Sequence, residues 1–132
     1  MSTIHPTLVP PIAATKRLLL SPSDLNPSRE DWEIVSVFNP GVALVGDRVV
    51  LLVRVAERPR EMRRGLVALP RFDREQGMVV DWMHAEHIEP VDPRVVRILS
   101  SGLIRLTFVS HLRVIGLGAG MEPEADEGIR MD

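Results

Sequence analysis

The sequence predicts an all-β chain assembled from repeated hairpin units, and three observations lead to that class. No stretch sustains the 3.6-residue apolar period of a helix. Short β-branched runs instead recur between clusters of Gly, Pro, Asn, Asp and Ser. The pattern also repeats. Asn39-Pro40-Gly41 precedes the run Val42–Val45, a Gly46-Asp47 turn and the run Val49–Val55. Asp92-Pro93-Arg94 precedes Val95–Ile98, a Ser100-Ser101-Gly102 turn and the run Leu103–Val109. Asn39 and Asp92 stand 53 positions apart, each followed by proline and each heading a hairpin. Self-similarity at a spacing of roughly 40–50 residues marks propeller blades or a similar array, in which the unit is four strands.

Taken in order, residues 1–32 read as an arm and a turn segment. Pro6, Pro10 and Pro11 give an extended arm over Met1–Ile12, and Thr15–Leu20 has the length of one short strand. Ser21-Pro22-Ser23-Asp24 offers helix-cap chemistry and Asn26-Pro27-Ser28 breaks the chain again, so one helical turn fits between them. Residues 33–117 form the blade region. Glu33–Phe38 is a strand, and Gly46-Asp47 joins the next two as a tight hairpin. The near-continuous apolar character of those two runs predicts that both faces are covered. Arg58-Pro59-Arg60 breaks the pattern, Gly65–Leu69 resumes it, Asp73–Gly77 is a polar turn and Met78–Met83 is another strand. Counted from Asn39, four strands precede Asp92, which makes one complete blade and about half of a second. Residues 118–132 carry the acidic run Glu122–Glu127 without apolar period and read as a disordered tail.

Composition narrows the function classes. The chain has 132 residues, 45% hydrophobic and 26% charged, the balance of a soluble globular domain. A net charge of −2 leaves no basic field for nucleic acid or an acidic membrane, so neither is expected as a partner. No run approaches the ~20 apolar residues of a membrane helix, and no charged start and apolar core of a signal peptide is present, so the expected address is cytoplasmic. There is no cysteine, hence no disulfide or thiolate site. Lys16 is the sole lysine, and the remaining basic residues are arginines, whose planar forks suit carboxylate or phosphate. His84 and His87 lie three apart, which on a strand directs them to opposite faces, and no third ligand is evident, so no metal is expected.

Four motifs in order carry a family resemblance: Val37-Phe38-Asn39-Pro40-Gly41, Leu51-Leu52-Val53-Arg54-Val55, Asp92-Pro93-Arg94-Val95 and Arg105-Leu106-Thr107-Phe108-Val109-Ser110-His111. Together, over roughly Glu33 to Ile115, they resemble the N-terminal region of glycoside hydrolase family 130, the β-mannoside phosphorylases and related β-mannosidases. The resemblance implies a five-bladed β-propeller, here partial, with its active site in the central funnel. It implies phosphate-dependent cleavage of a β-mannosidic bond with inversion, giving α-mannose 1-phosphate. By that resemblance Asp92 is the proton donor, Asn39 a sugar contact, and Arg54 with Arg58 or Arg60 the phosphate contacts. No cofactor is implied, inorganic phosphate being the co-substrate. Two positions depart from the family pattern: Ala56-Glu57 stands where an acidic pair is usual, and Val91 where an acidic residue is usual.

Physical chemistry fits those roles. An inverting reaction needs an acid to protonate the leaving oxygen while a nucleophile attacks the opposite face. Phosphate needs no deprotonating base, only cations to hold it, and arginine does so bidentately. Plainer roles stand beside these. Asp92 before Pro93 also makes an ordinary turn by bonding the backbone, as does Asn39 before Pro40. Without the resemblance, Arg58, Arg60, Arg63 and Arg64 with Glu57 and Glu61 read as a solvated mixed-charge loop. His111 reads as a hydrogen-bonded core or wall residue, and Trp32 and Trp82 either stack on sugar or pack at blade edges. The family members are longer, so the chain is expected to be a portion of such a protein, inactive by itself. A reading from another class is a non-catalytic β-module that binds sugar or self-associates through unpaired strand edges.

Overall fold

A computed structural model describes residues 16–124, and within them the chain is all-β apart from two 3-10 turns, at Pro22–Asp24 and Ala85–His87. Eight strands follow in order: β1 (Trp32–Val45), β2 (Arg48–Pro59), β3 (Leu66–Asp73), β4 (Gly77–His84), β5 (Ile88–Asp92), β6 (Val95–Ile98), β7 (Ile104–Leu106) and β8 (Val109–Gly116). They form three antiparallel sheets, β1-β2-β8, β3-β4 and β5-β6-β7.

Local chemistry accounts for most of these elements. The first turn is held by a capping box, with Asp24 accepting from the Ser21 amide at 2.7 Å. Gly46, at φ +65°, supplies the positive φ that the two-residue β1–β2 hairpin demands of its first loop residue. Asp73 closes the β3–β4 turn by accepting from the amides of Glu75 and Gln76, both at 2.9 Å.

The strand order corrects the repeat expected from sequence. The four strands counted from Asn39 are not one hydrogen-bonded sheet. β2 pairs with β8, from the far end of the chain, while β3 and β4 pair with each other. The expected strand Leu103–Val109 divides at Thr107-Phe108 into β7 and β8, which join different sheets. Asn39 does not head a strand either. It lies inside β1 at φ +46°, in a register shift between Phe38 and Gly41, where asparagine tolerates the left-handed conformation better than most residues. Asp92 ends β5 and pairs with Val95 across the Pro93-Arg94 turn, so the two positions are not structurally equivalent.

Other boundaries differ for identifiable reasons. β1 runs through the bulge, and β2 continues through Arg58-Pro59 because Pro59 ends the ladder opposite Trp32. Residues 16–20 form no strand, and Leu19 and Leu20 instead pack on the sheet. Beyond β8 the chain reverses, with Gly118 donating to the Glu122 carbonyl and Glu124 to that of Gly116, so residues 118–124 have an order that the expected tail did not include. The extended arm over residues 1–12 and the tail from residue 125 lie outside the described residues.

Three apolar clusters join the layers. Leu25, Leu51, Val53, Val55, Ile115 and Leu117 fill one face of the β1-β2-β8 sheet. Trp32, Met78 and Val109 weld that sheet to β4, and Leu69, Ile88 and Val96 join the second sheet to the third. Arg105 of β7 adds a polar tie, donating to the Leu69 carbonyl at 3.2 Å and the Asp81 carboxylate at 3.0 Å. The far end of the first hairpin is the exception to the expected burial. Val42, Leu44 and Val45 are exposed, so the apolar run there is not covered on both faces.

Ile115 is fully buried at the centre of the first cluster. Ile115→Ala is expected to lower unfolding free energy by about 2–5 kcal/mol, seen as a lower denaturant midpoint at unchanged slope.

Candidate active site

β2 divides the molecule's chemistry between its two faces. Leu51, Val53, Val55 and Glu57 point into the interior, whereas Leu52, Arg54 and Arg58 point out. β8 alternates in the same way, with Val109, His111, Arg113 and Ile115 inward. Cross-strand pairing then sets Val55 opposite His111 and Val53 opposite Arg113 on the buried face.

A polar network is enclosed there. Glu57 Oε2 lies 2.5 Å from His111 Nε2 and 3.4 Å from Arg113 Nη2, and it also accepts a short hydrogen bond from the Ser28 hydroxyl. Glu57 Oε1 accepts from the Ser28 amide at 2.5 Å, and Arg113 Nη1 donates to the Asn26 carbonyl at 2.6 Å. The Glu57 and His111 side chains are at most 1% exposed. Burial pushes the Glu57 pKa up, but hydrogen bonds from His111 and from the Ser28 hydroxyl and amide, together with the nearby His111 charge, outweigh it and leave the carboxyl below its ordinary range. Since Glu57 is then a carboxylate, which only accepts, His111 Nε2 is the donor in this pair.

This corrects the surface-loop reading of Glu57, whose side chain is wholly enclosed. His111 is the hydrogen-bonded interior residue that the sequence suggested. Trp32 is fully buried in the weld between sheets, so it packs rather than stacks on sugar. The signal that locates Glu57 and Arg113 was present. Both continue the alternate-residue register of apolar neighbours, Val53-Val55-Glu57 and His111-Arg113-Ile115.

The outward face of β2 borders an open cleft of about 570 Å³. One wall carries Phe38, Arg54 and Arg58, and the other the Pro93-Arg94 turn with Thr107 and Phe108. Arg54 lies over the Phe38 ring at 4.7 Å and donates to the Ser110 hydroxyl at 2.9 Å. Arg58 pairs with Glu33, directly across the ladder, at 2.7 Å. Arg58, Pro93 and Thr107 also line an adjoining cleft of about 440 Å³, with Arg60, Glu61, Arg63 and Trp82. There Arg63 covers the Trp82 ring at 4.2 Å, and Arg60 has no ion pair among the described residues.

The structure thus brings Arg54, Arg58 and the Asp92-Pro93-Arg94 turn to one place, with Arg60 next door. Asn39 and Asp92 line neither cleft themselves, although Phe38 and Pro93 beside them do. The plain turn role of Asp92 is present, since its Oδ1 accepts from the Arg94 amide at 2.6 Å, and its second oxygen has no partner among the described residues. His84 and His87 meet edge to face at 5.6 Å, because His87 lies in the 3-10 turn rather than on the strand. No group of three metal-ligating side chains occurs among the described residues. No helix among them is long and apolar enough to cross a membrane.

Comparison with known proteins bears on this geometry. The chain is 32% identical over 101 residues to a β-1,2-mannobiose phosphorylase of Listeria innocua, covering 73% of this chain and 28% of that protein. It superposes on a solved β-1,2-mannobiose phosphorylase from Listeria innocua, in complex with β-1,2-mannobiose, with a TM-score of 0.69 and 29% identity. That superposition covers 84% of this chain and 33% of the other. By both comparisons the chain is similar to a member of glycoside hydrolase family 130, the family that its four motifs resemble. It spans about a third or less of the length of these relatives, and no protein-family model matches it.

Two measurements test the buried network. Glu57→Gln removes the charge that His111 and Arg113 face, and it is expected to cost about 3–5 kcal/mol of unfolding free energy. A depressed carboxyl stabilises above its unfolded value, near 4.5, and that stability is lost as pH falls through the lower folded value. Acid titration of unfolding free energy should therefore show wild-type stability falling below about pH 4.5 and a shallower slope in Glu57→Gln. Part of the slope persists from Asp81. Its burial opposes ionisation, but hydrogen bonds from Arg71 and Arg105 hold its pKa low as well.

Proposed function

We propose that the chain provides one part of a β-mannoside phosphorylase site, within the five-bladed propeller that the family resemblance implies. The observation that carries this reading is a single cleft lined by Arg54 and Arg58 of β2 and by Pro93 and Arg94, the two residues that follow Asp92. Similarity in sequence and in fold to β-1,2-mannobiose phosphorylase of Listeria innocua supports a β-mannoside as substrate and inorganic phosphate as co-substrate.

In this reading Asp92, in its acid form, gives its proton to the oxygen of the leaving sugar. Phosphate attacks the anomeric carbon from the opposite face, the glycosidic C–O bond breaks, and α-mannose 1-phosphate forms with inversion. Arg54, with Arg58 or Arg60, holds the phosphate by charge-assisted hydrogen bonds. Asn39 contacts the sugar, and the β1 bulge that gives it a positive φ turns its backbone out of the ladder. The Arg94 amide holds one oxygen of Asp92, which leaves the other to face the leaving group.

The test is release of mannose 1-phosphate from β-1,2-mannobiose in the presence of phosphate. Asp92→Asn is expected to lower kcat by about 10²–10⁴-fold, the usual contribution of a positioned general acid. Turnover unaffected by that substitution would remove Asp92 from the role, and a chain that neither turns over nor binds any β-mannoside would remove the reading itself.

A further inference from the structure

We infer that Arg94 is a third phosphate-binding cation, reaching the same anion as Arg54 and Arg58 from across the cleft. The inference rests on the proposed function and adds a residue to its phosphate site.

The composition of the cleft wall supports it. The residues bordering the larger cleft include three guanidinium groups, on Arg54, Arg58 and Arg94, and no carboxylate. An anion entering there meets positive charge that Glu33 and Asp92, outside the lining, offset only in part, with the Ser36 and Thr107 hydroxyls as neutral donors. The three arginines differ in how far they are committed. Arg58 gives its Nε to Glu33 at 2.7 Å, and the charge of that pair is largely neutralised. Arg54 is held by a neutral hydroxyl and an aromatic ring, so its position is fixed while its charge is not cancelled. Arg94 is 74% exposed, and its sole carboxylate neighbour among the described residues is Asp92, at 3.9 Å from Nε. An exposed pair at that separation holds its partners weakly.

Position adds a second argument. Arg54 and Arg58 share one strand, so both approach a bound anion from one side. Arg94 stands on the β5–β6 turn, the opposite wall. A tetrahedral phosphate presents oxygens in several directions, and cations on two walls satisfy more of them than two on one strand. One turn would thus carry both the proton donor and a cation for the nucleophile.

Isothermal titration of the whole chain with inorganic phosphate tests the assignment, using Arg94→Gln, Arg94→Lys and Arg54→Gln, with Arg74→Gln on the distant β3–β4 turn as control. Arg94→Gln is expected to weaken phosphate binding about tenfold or more. Arg94→Lys should retain part of the affinity, because it keeps the charge and loses the fork. Arg54→Gln should weaken binding by a similar factor, and Arg74→Gln should leave it unchanged. Matching thermal midpoints exclude a folding effect, since Arg94 is exposed. Wild-type affinity in Arg94→Gln, with loss in Arg54→Gln, would overturn the Arg94 assignment and leave the proposed function standing. Equal weakening in Arg74→Gln would overturn it as general charge attraction. A wild-type chain that binds no phosphate would overturn this inference, and the mannose 1-phosphate assay then decides separately whether the proposed function falls with it.

Discussion

The Glu57 carboxylate is the interaction on which the rest of this structure depends. It is enclosed, charged, and met by partners from two separate parts of the chain: Ser28 before β1, and His111 and Arg113 on β8. A carboxylate taken out of water is tolerated only when such partners are in place. Placing Glu57 inward therefore commits the N-terminal segment and the last strand to the same face of β2. β8 comes from the far end of the blade region, so this contact also closes the chain on itself. A one-residue slip of β8 would turn His111 and Arg113 outward together and leave Glu57 without compensation. The network acts as a register pin as much as a source of stability.

The strict alternation of β2 then separates two tasks. Its inward residues anchor the sheet, and its outward residues Arg54 and Arg58 face the cleft. A guanidinium at Arg54 held by Ser110 and Phe38, neither of them charged, keeps its direction without giving up its charge. A wall built so has ordered cations before any ligand arrives, which lowers the cost of ordering them on binding. Buried charge pairs on one face and exposed, partly committed arginines on the other are two uses of one strand.

Much of this was legible in the sequence, and the misses have physical causes. Both hairpin turns and the single capped turn after Ser21 were readable, because Gly46, Gly102 and the Ser21–Asp24 box are local signals. The pairing of β2 with β8 was not, since strand partnership across some 60 residues leaves no mark in local propensity. The likeness of Asn39 and Asp92 was real as a pattern of turn residues and misleading as geometry. Proline after a short polar residue serves a bulge within β1 as well as a hairpin turn after β5. Arg54, Arg58 and the Asp92 turn were singled out only through the family resemblance, because their local sequence reads as an ordinary strand, loop and turn. Glu57 was missed because a charged residue beside arginines suggests a wet loop, although its register placed it in line with Val53 and Val55.

The cleft's two walls belong to different sheets, so its width is not fixed by any residue that lines it. The β2 wall is set by the first sheet. The Pro93-Arg94 wall is carried on the third sheet, which reaches the first through β3 and β4 and the Thr107-Phe108 link between β7 and β8. Trp32, Met78 and Val109 fix the first of those joints, Leu69, Ile88 and Val96 the second, and Arg105 clamps β7 to Asp81 and Leu69. Close-packed contacts of this kind transmit displacement rather than absorb it. A reacting group loses much of its effect when misplaced by about 1 Å, and the separation of Asp92 from the arginine strand depends on these buried apolar residues. The buried welds between sheets are therefore as much a part of the chemistry proposed for this cleft as the charged groups along its rim.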